Sequence, residues 1–237
     1  MSRRDVVDPA TKSRAKAELY AAFAASGKAL ANGTRLELLD LLAQGERTVD
    51  ALAAAAGLNL TTASAHLQTL KQAGFVATRR DGVRVHYRLA GDDVAQLLAL
   101  LRTVALTHQA AVSPARDAYL GLGAGTDPAR ATEITREQLR DRAAAGHVVV
   151  LDVRPAHEYA AGHIPGAVSI PVEELAERIT ELPEGAEIVV YCRGEFCVLA
   201  YDAVRLLTDR GRHAIRLDDG MLEWRLADLP VDTGELA

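Results

Sequence analysis

Apolar residues recur every three or four positions along the first part of the chain, a spacing that predicts amphipathic helices. Over residues 12–42 the spacing is interrupted once, at Ala31-Asn32-Gly33, so two helices are expected there. Thr34 is the candidate N-cap of the second helix, and Gln44-Gly45-Glu46 is expected to end it. The chain is therefore predicted to open with helices rather than with strands.

Two shorter helices follow, joined by a glycine. The first begins after Thr48 and is rich in alanine until Gly57 ends it. The second begins near Asn59 or Thr61 and runs to Ala73. Two short helices joined by a glycine-containing turn are typical of a helix-turn-helix, whose second helix lies in the major groove of DNA.

The second helix of this pair carries apolar and polar residues on different faces. Leu67 and Leu70 are expected to face the core. The polar side chains of the helix are of the types that contact bases and phosphates. The candidate DNA-binding residues on this helix are Thr61, Thr62, Ser64, His66, Gln68 and Lys71.

Alternating apolar and polar residues then replace the helical spacing. Residues 75–80 and 83–89 alternate on either side of Asp81-Gly82, a strong signal for a β-hairpin with a two-residue turn. The tip of the hairpin is a basic wing, which adds the candidate DNA-binding residues Arg79, Arg80 and Arg84. A last helix, residues 92–107, is so dense in leucine and valine that it needs a partner surface.

Residues 28–42, residues 64–76 and the wing together resemble the ArsR-type winged-helix repressors. The resemblance covers about residues 15–107 and implies a homodimer, formed through the first and last helices, that binds double-stranded operator DNA. Metal-sensing members of that family carry cysteine pairs in the helix before the recognition helix, and residues 48–56 contain no cysteine. We therefore expect no metal and no cofactor, and we assign residues 1–112 to a DNA-binding and dimerisation domain.

Two prolines and three glycines fall within residues 113–132. No periodicity persists through Gly121-Leu-Gly-Ala-Gly125, so we expect a linker or a hinge. The chain therefore divides into two predicted domains, and the second spans residues 133–237.

The second domain alternates apolar strands with helical segments. Thr135 and Gln138 form a candidate capping box for a helix that runs to about Ala145. Apolar runs predict strands at residues 133–134, 147–153, 168–170, 187–191 and 214–217, with helices at 172–179 and 198–210 between them. This order favours an α/β fold with an open parallel sheet, in which functional sites lie beyond the carboxyl ends of the strands.

Both cysteines of the chain lie in one six-residue segment, Cys192 to Cys197, at the turn from a predicted strand to a predicted helix. Backbone N–H groups and the positive end of the helix dipole meet at such a turn. They stabilise an anion, so we expect the pKa of the Cys192 thiol to fall below ~8.5, its ordinary value. The candidate reactive residues are Cys192 and Cys197, and the loop between them consists of Arg193, Gly194, Glu195 and Phe196.

Three stretches of this domain, Asp152-Val-Arg154, residues 159–170 and residues 219–224, resemble the rhodanese family over about residues 133–231. Cys192 stands where that family keeps its sulfur-carrying cysteine. The resemblance implies a thiolate that takes sulfane sulfur from a donor, such as thiosulfate, a polysulfide or a persulfide, and holds it as a persulfide. Arg193 is expected to attract an anionic donor. Four polar residues are expected to organise the strand and loop through hydrogen bonds: Asp152, Arg154, Glu158 and His163.

The loop departs from that family at its end. Cys197 stands where rhodaneses that use thiosulfate commonly carry an arginine, and Val198 stands where related phosphatases and arsenate reductases keep one. Phosphatase chemistry is not expected, because its oxyanion would lack the main cation, and thiosulfate turnover is left open. Two interpretations of Cys197 remain. It attacks a persulfide on Cys192 to form a disulfide or polysulfide bridge, or it is simply a small buried residue at the helix start.

Composition narrows the class of protein. The chain has 237 residues, enough for two domains of roughly 100 residues, and 49% of them are hydrophobic. It contains no apolar run of ~18 residues and its start resembles no signal peptide, so we expect a cytoplasmic protein with no membrane partner. Residues 1–125 carry 15 basic and 11 acidic side chains, whereas residues 126–237 carry 12 and 21. Nucleic-acid binding is therefore expected of the first domain.

Three functions fit this sequence. The first is a DNA-binding transcriptional regulator, expected to be a repressor, whose rhodanese domain senses or transfers reactive sulfane sulfur through a persulfide on Cys192. The second is a sulfurtransferase enzyme whose DNA-binding module places or autoregulates it. The third is a rhodanese fold kept as an inert interaction scaffold. We favour the first, because the predicted winged helix has no thiol with which to detect sulfur.

Overall fold

The computed structural model describes residues 8–122, 133–146 and 148–234. The chain forms two compact units, of which the first comprises Met1–Leu42 and Arg47–Gly91, and the second comprises Ala43–Glu46 and Asp92–Ala237. The short segment Ala43–Glu46 thus belongs to the second unit, although it connects two stretches of the first along the chain. Among the described residues, none of the helices is long and apolar enough to span a lipid bilayer.

The first unit contains a helix-turn-helix followed by a hairpin. Its elements are α1 (Pro9–Leu30), α2 (Gly33–Ala43, whose last residue belongs to the second unit), β1 (Arg47–Thr48), α3 (Val49–Ala55), α4 (Leu60–Gln72), β2 (Val76–Asp81) and β3 (Arg84–Leu89). The strands form an antiparallel sheet in the order β1-β3-β2. The predicted winged-helix order is confirmed, with β1 as an additional strand.

Side-chain caps begin all four of these helices, and α1 is capped by the Asp8 carboxylate, which accepts from the N–H of Thr11 at 3.3 Å. Thr48 caps α3 and Asn59 caps α4, as predicted. The cap of α2 is Asn32 rather than Thr34, because the Asn32 Oδ1 accepts a hydrogen bond from the backbone N–H of Arg35 at 3.1 Å. Asparagine and threonine are both good caps, and the helix begins two residues earlier than expected.

The hairpin turns one residue later than predicted. Asp81 still pairs with Arg84 across the two strands, so the turn consists of Gly82-Val83 rather than Asp81-Gly82. Gly82 has a φ of +58°, which suits a glycine at the first position of a two-residue turn. The wing arginines nevertheless stay at the tip, where they are exposed.

The core of the first unit is built from leucines. Leu38, Leu39, Leu52, Leu67 and Leu70 are each at most 1% exposed. Burying such a side chain contributes roughly 1.5–3 kcal/mol. The predicted inward orientation of Leu67 and Leu70 is confirmed, and α4 therefore presents its polar face away from this core.

The second unit has a five-stranded parallel sheet at its centre. Its elements are α5 (Asp92–His108), α6 (Val112–Tyr119), β4 (Glu133–Ile134), α7 (Arg136–Ala144), β5 (Val148–Asp152), α8 (Ala156–Ala161), β6 (Val168–Ser169), α9 (Leu175–Arg178), a 3₁₀ turn (Ile179–Glu181), β7 (Glu187–Tyr191), α10 (Val198–Asp209), β8 (Ala214–Leu217) and α11 (Met221–Leu226). The strand order is β4-β8-β7-β5-β6. The predicted open parallel sheet is confirmed, and so is the capping box of Thr135 and Gln138 at the start of α7.

Strand β7 lies in the middle of the sheet and is buried on both faces. Ile188 and Val190 pack into one apolar cluster, while Val189 and Tyr191 pack into the cluster on the opposite face. This alternation is the two-residue period of a strand covered by helices on both sides. Cys192 directly follows the strand and packs in the same cluster as Ile188.

The predicted linker at residues 113–132 begins in regular structure. Val112–Tyr119 forms α6, and Leu120, which is 1% exposed, packs in the apolar cluster that contains Cys192. Pro114 is compatible with this helix because it lies in the first turn, where its missing N–H has no helical partner. Residues 123–132 of the predicted linker and His147 of the predicted strand lie outside the described residues.

Candidate functional site

The two cysteines lie at the carboxyl end of β7 and at the start of α10. Both are unbridged and buried, with Cys192 2% and Cys197 9% exposed. The Cys192 Sγ lies 3.4 Å from the carbonyl oxygen of Cys197 and 3.8 Å from that of Gly194. The N–H of Cys197 donates to the Gly194 carbonyl at 3.0 Å, which closes the loop into a tight turn.

The N-terminus of α10 faces these sulfurs. Cys197 is the N-cap residue, and its side chain makes no capping hydrogen bond of the usual kind. Instead, the N–H of Ala200 lowers the pKa of Cys192, and the N–H of Leu199 lowers that of Cys197, although other effects on each are larger. A helix start whose first N–H groups point at a thiol stabilises a negative charge there.

The two thiols ionise as a pair. Burial raises the pKa of the Cys192 thiol well above its ordinary value, opposite to the direction predicted from the loop amides. The hydrogen bond from Cys192 lowers the pKa of Cys197. A buried site tolerates one negative charge but resists a second beside it, so the directions of the two pKa shifts favour Cys197 as the first of the pair to ionise.

The backbone of α11 holds the loop in place. The N–H of Met221 donates to the Cys192 carbonyl at 2.9 Å, and the N–H of Leu222 donates to the Arg193 carbonyl at 3.1 Å. The approach is so close that a Cβ on Gly220 would lie 2.6 Å from the carbonyl carbon of Arg193. Only glycine therefore fits at this position without moving the loop.

Glu223 borders the loop from the same helix. A Cβ on Gly194 would lie 3.0 Å from its carboxylate, which also accepts a hydrogen bond from the N–H of Gly220 at 3.0 Å. Burial raises the pKa of Glu223. Glu223 could not be recognised as a neighbour of the loop from the sequence, because its approach to Gly194 depends on the packing of α11 and not on a local motif.

Arg193 points to a carboxylate of its own domain. Its Nε donates to both carboxylate oxygens of Glu158 at 3.0 Å, and an Nη donates to one of them at 2.6 Å. Glu158 is 1% exposed, so this ion pair is largely shielded from water. The predicted attraction of an anionic donor by Arg193 is therefore opposed by the charge of Glu158.

A second buried ion pair lies beneath the loop. Arg154 binds Asp152 in a bidentate way, with Nε–O distances of 3.0 and 3.1 Å, and both side chains are fully buried. The Tyr191 hydroxyl donates to the same carboxylate at 2.6 Å, and Arg154 also donates to the Gly162 carbonyl at 2.8 Å. These contacts confirm the predicted organising role of Asp152 and Arg154.

The remaining predicted residues of this domain are His163, Glu195 and Phe196. His163 stacks on Tyr159 with ring centroids 3.6 Å apart, and its Nδ1 lies 2.9 Å from the Tyr159 carbonyl oxygen. Glu195 is half-buried, and burial together with Asp218 raises its pKa. The ring of Phe196 lies 5.6 Å from the guanidinium carbon of Arg102 on α5.

Gln44 contacts the loop and was missed by the sequence analysis. Its side chain is fully buried. Its Oε1 accepts from Arg154 at 3.3 Å, and its Nε2 donates to the Arg193 carbonyl at 3.4 Å. The sequence indicated only a helix end at residues 44–46, since contacts across more than 100 positions leave no local pattern.

The candidate DNA-binding residues lie on α4 and on the wing. Those with exposed side chains are Thr61, Gln68, Lys71, Arg79, Arg80 and Arg84, and those that are half-buried are Thr62, Ser64 and His66. Gln68 donates to the Tyr87 hydroxyl at 3.3 Å, and Lys71 donates to the Thr78 hydroxyl at 3.0 Å. Gln68 and Lys71 therefore fix the wing against α4.

Comparison with known proteins covers both units. A helix-turn-helix domain model matches residues 30–79, and a rhodanese-like domain model matches residues 135–227. An HTH-type transcriptional regulator of Mycobacterium tuberculosis is 57% identical over 225 residues, which cover 95% of this chain and 96% of that protein. A sulfurtransferase of Allochromatium vinosum is 32% identical over 101 residues, 42% of this chain and 92% of that protein. Among solved structures, a homodimeric winged helix-turn-helix DNA-binding domain of Mycobacterium bovis is 54% identical, covers 46% of this chain and 91% of its own, and has a TM-score of 0.38.

Proposed function

Since this chain belongs to the transcriptional regulators that join an ArsR-type winged helix to a C-terminal rhodanese-like domain, we propose that it is a repressor controlled by the sulfur state of Cys192. The observation that carries the proposal is the pair of buried thiols in one loop at the start of α10. Both cysteines of the chain lie there, so the DNA-binding unit has no thiol of its own. Any thiol-based signal must therefore start in the second unit.

The first chemical step forms a persulfide. Because the two thiols share a hydrogen bond, transfer of one proton from Cys192 to Cys197 places the thiolate on Cys192. The Cys192 Sγ attacks the outer sulfur of a hydropersulfide, the donor's S–S bond breaks, and the donor leaves as its thiolate. One sulfur atom has then moved to Cys192 without a net change in oxidation.

The second step uses Cys197. The departing donor thiolate takes the proton from Cys197 and leaves as a thiol. The Cys197 thiolate then attacks the Sγ of the Cys192 persulfide, a Cys192–Cys197 disulfide forms, and the outer sulfur leaves as hydrosulfide. The transferred sulfane sulfur is reduced to sulfide while the two thiols are oxidised, so no further oxidant is needed. In the overall reaction two thiols and one hydropersulfide give the disulfide, one thiol and hydrogen sulfide.

The charges around the loop favour a hydropersulfide or polysulfide over thiosulfate. Arg193 is ion-paired with Glu158, so its charge is offset by a carboxylate. Burial raises the pKa of Glu195, Asp219 and Glu223, which means that the loop surroundings already resist negative charge. A thiosulfate dianion would add to this repulsion, whereas the –SSH group of a hydropersulfide accepts a nucleophile in its uncharged form.

The burial of Cys192 favours regulation over rapid turnover. A thiol that is 2% exposed receives sulfur only when the loop opens. Once modified, Cys192 loses the S–H that faces the carbonyls of Gly194 and Cys197. The sulfur state is thereby tied to the conformation of the loop.

A dimer on operator DNA is the proposed working form. Helix α1 exposes Tyr20 and Phe23, which are 61% and 62% exposed, and α5 exposes Leu97, Leu100 and Val104. Exposed apolar rows of this kind indicate a surface that is covered in the assembly. A homodimer would also match two half-sites in operator DNA with two copies of α4 and the wing.

The test measures DNA affinity before and after exposure to glutathione persulfide. Affinity for the DNA upstream of the chain's own gene is measured at constant salt, because phosphate contacts make any affinity salt-dependent. We expect the affinity of the wild type to change by at least tenfold and that of Cys192→Ser to stay constant. Equal affinities before and after treatment of the wild type, with a persulfide on Cys192 established by mass spectrometry, would refute the proposal.

A sulfurtransferase whose DNA-binding module places it is the second candidate function. Its support is the similarity of the second unit to the sulfurtransferase of Allochromatium vinosum. It predicts fast thiocyanate formation from cyanide and a sulfane donor, together with a DNA affinity that is indifferent to sulfur loading. Thiocyanate formation and DNA affinity can be measured on the same protein sample.

A further inference from the structure

Gln44 lies outside the stretch that matches a rhodanese-like domain, residues 135–227, yet it contacts the Cys192 loop within the second unit. Both polar atoms of its fully buried side chain are engaged. The Oε1 accepts from Arg154 at 3.3 Å, and the Nε2 donates to the Arg193 carbonyl at 3.4 Å. A buried amide held at both ends fixes the group that it donates to, and here that group is the carbonyl of the peptide that joins Arg193 to Gly194.

The residues beside Gln44 are fastened to the same unit. The carbonyl oxygen of Ala43 accepts from Arg225 at 2.9 Å. Gly45 packs so closely that a Cβ at this position would lie 2.7 Å from the Cβ of Ala161. Three consecutive residues are therefore held by the second unit, although the chain enters from α2 and leaves into β1 of the first unit.

Sulfur chemistry at Cys192 acts on the loop whose Arg193 carbonyl Gln44 contacts. A persulfide or a disulfide at Cys192 removes the S–H that faces the Gly194 and Cys197 carbonyls. A persulfide also adds a sulfur atom to a side chain that is only 2% exposed. A close-packed interior responds to added volume by shifting backbone, and the carbonyls of Cys197 and Gly194 that face the Cys192 Sγ belong to the same loop as the Arg193 carbonyl that Gln44 contacts.

We propose that Gln44 is a positioning residue for the Cys192 loop and that it conveys the sulfur state of Cys192 to the helix-turn-helix. The proposal rests on the proposed function. A shift of the Arg193 carbonyl weakens the Gln44 contact and loosens the segment Ala43–Glu46. Because α3 and α4 follow that segment along the chain, its release changes how α4 is presented to DNA.

The test replaces Gln44 by glutamate in the full-length protein. Gln44→Glu keeps the shape and the acceptor for Arg154, but it removes the donor to the Arg193 carbonyl and sets a carboxylate oxygen against it. Gln109→Glu adds the same charge at an exposed glutamine and serves as the matched control. Gln44→Met, which removes both hydrogen bonds at similar volume, is the second variant if the glutamate variant fails to fold.

Two readouts are taken with glutathione persulfide as the donor. The first is the pH profile of persulfide formation on Cys192, followed by mass spectrometry. We expect Gln44→Glu to move this profile to higher pH, since a carboxylate beside the loop disfavours the thiolate, and Gln109→Glu to leave it unchanged. The second is the ratio of DNA affinities before and after treatment, which we expect to fall by about tenfold relative to wild type in both Gln44 variants.

The outcomes separate this inference from the proposed function. If the wild type and Gln109→Glu respond to sulfur and both Gln44 variants respond equally well, the conveying role of Gln44 is refuted while the proposed function stands. If the wild type does not respond, the proposed function fails and the conveying role fails with it. An unchanged pH profile in Gln44→Glu refutes the positioning role in either case.

Discussion

Helices α4 and α10 carry the two candidate sites, and they begin in opposite ways. Helix α4 starts with a local cap, since the Asn59 Oδ1 accepts from the N–H of Thr62 at 2.8 Å. Helix α10 starts at Cys197 without such a cap, and the loop before it is held by distant residues such as Met221 and Glu158. The helix that carries the candidate DNA-binding residues is thus specified locally and exposed, whereas the loop of the two cysteines depends on long-range contacts and is buried.

The largest effect on stability is expected at the buried ion pair of Asp152 and Arg154. Asp152→Asn would leave the fully buried guanidinium of Arg154 without its countercharge, and we expect a loss of roughly 3–5 kcal/mol in the free energy of unfolding. The measurement is urea-induced unfolding of the full-length protein.

Asp81→Asn is the matched control on the wing. Its carboxylate lies 3.8 Å from Arg79, and both side chains are more than half exposed. We expect less than ~1 kcal/mol, because exposed ion pairs are screened by water. Similar losses of unfolding free energy in Asp152→Asn and Asp81→Asn would contradict the view that the second unit depends on a buried ion pair.

Removal of the local cap of α4 is expected to have the next largest effect on the free energy of unfolding. Asn59→Ala removes the acceptor for the Thr62 N–H, and we expect a loss of about 1 kcal/mol in the free energy of unfolding. Asn59→Asp keeps a capping oxygen and should retain most of that stability. If alanine and aspartate behaved alike, the start of α4 would be held by packing rather than by its cap.

The same contrast determines what the sequence could predict. The order of helices and strands, the caps at Thr48 and Asn59 and the exposed polar face of α4 all follow from patterns a few residues long. The turn position was missed by one residue, because both Asp81-Gly82 and Gly82-Val83 place a glycine where a tight turn accepts it. Helix α6 was missed because prolines and glycines nearby read as a linker.

The parts of the sulfur site that were not predicted are those made across the fold. The ion pair of Arg193 joins residues 35 positions apart, and the hydrogen bond of Gln44 to the loop joins residues 149 positions apart. The pKa of Cys192 was predicted in the wrong direction, because the amides are visible in the sequence as a helix start but the burial is not. Burial outweighs the amides here, and only the three-dimensional packing reveals it.

A smaller effect is expected at the exposed wing, on the salt dependence of DNA affinity. Arg80→Ala should remove one phosphate contact and reduce the slope of log affinity against log salt by about 0.9. Between 50 and 200 mM salt this corresponds to about a 3.5-fold smaller loss of affinity. Arg140→Ala, on α7 of the second unit, is the control for a simple loss of charge. A slope unchanged by Arg80→Ala would mean that the wing does not reach the backbone of DNA.

The smallest expected effect is that of the Cys192 S–H on the pKa of Cys197. In Cys192→Ala and Cys192→Ser, Cys197 is the only thiol left in the chain. The hydrogen bond from Cys192 is the largest cause that lowers the pKa of Cys197, and a serine hydroxyl still supplies a donor whereas an alanine methyl does not. We therefore expect a higher pKa of Cys197 in the alanine variant than in the serine variant.

The measurement is the rate of Cys197 alkylation by iodoacetamide as a function of pH. Because only the thiolate reacts, a higher pKa moves the midpoint to higher pH and slows the reaction at neutral pH in Cys192→Ala. Denatured samples of both variants should share one midpoint, which controls for the intrinsic reactivity of the thiol. Coincident midpoints in the folded variants would mean that the N–H groups at the start of α10, and not the neighbouring thiol, hold the charge. The start of α10 would then act on sulfur as the Asn59 cap acts on α4, by satisfying a helix end, and the proposed exchange of one proton between the two thiols would lose its basis.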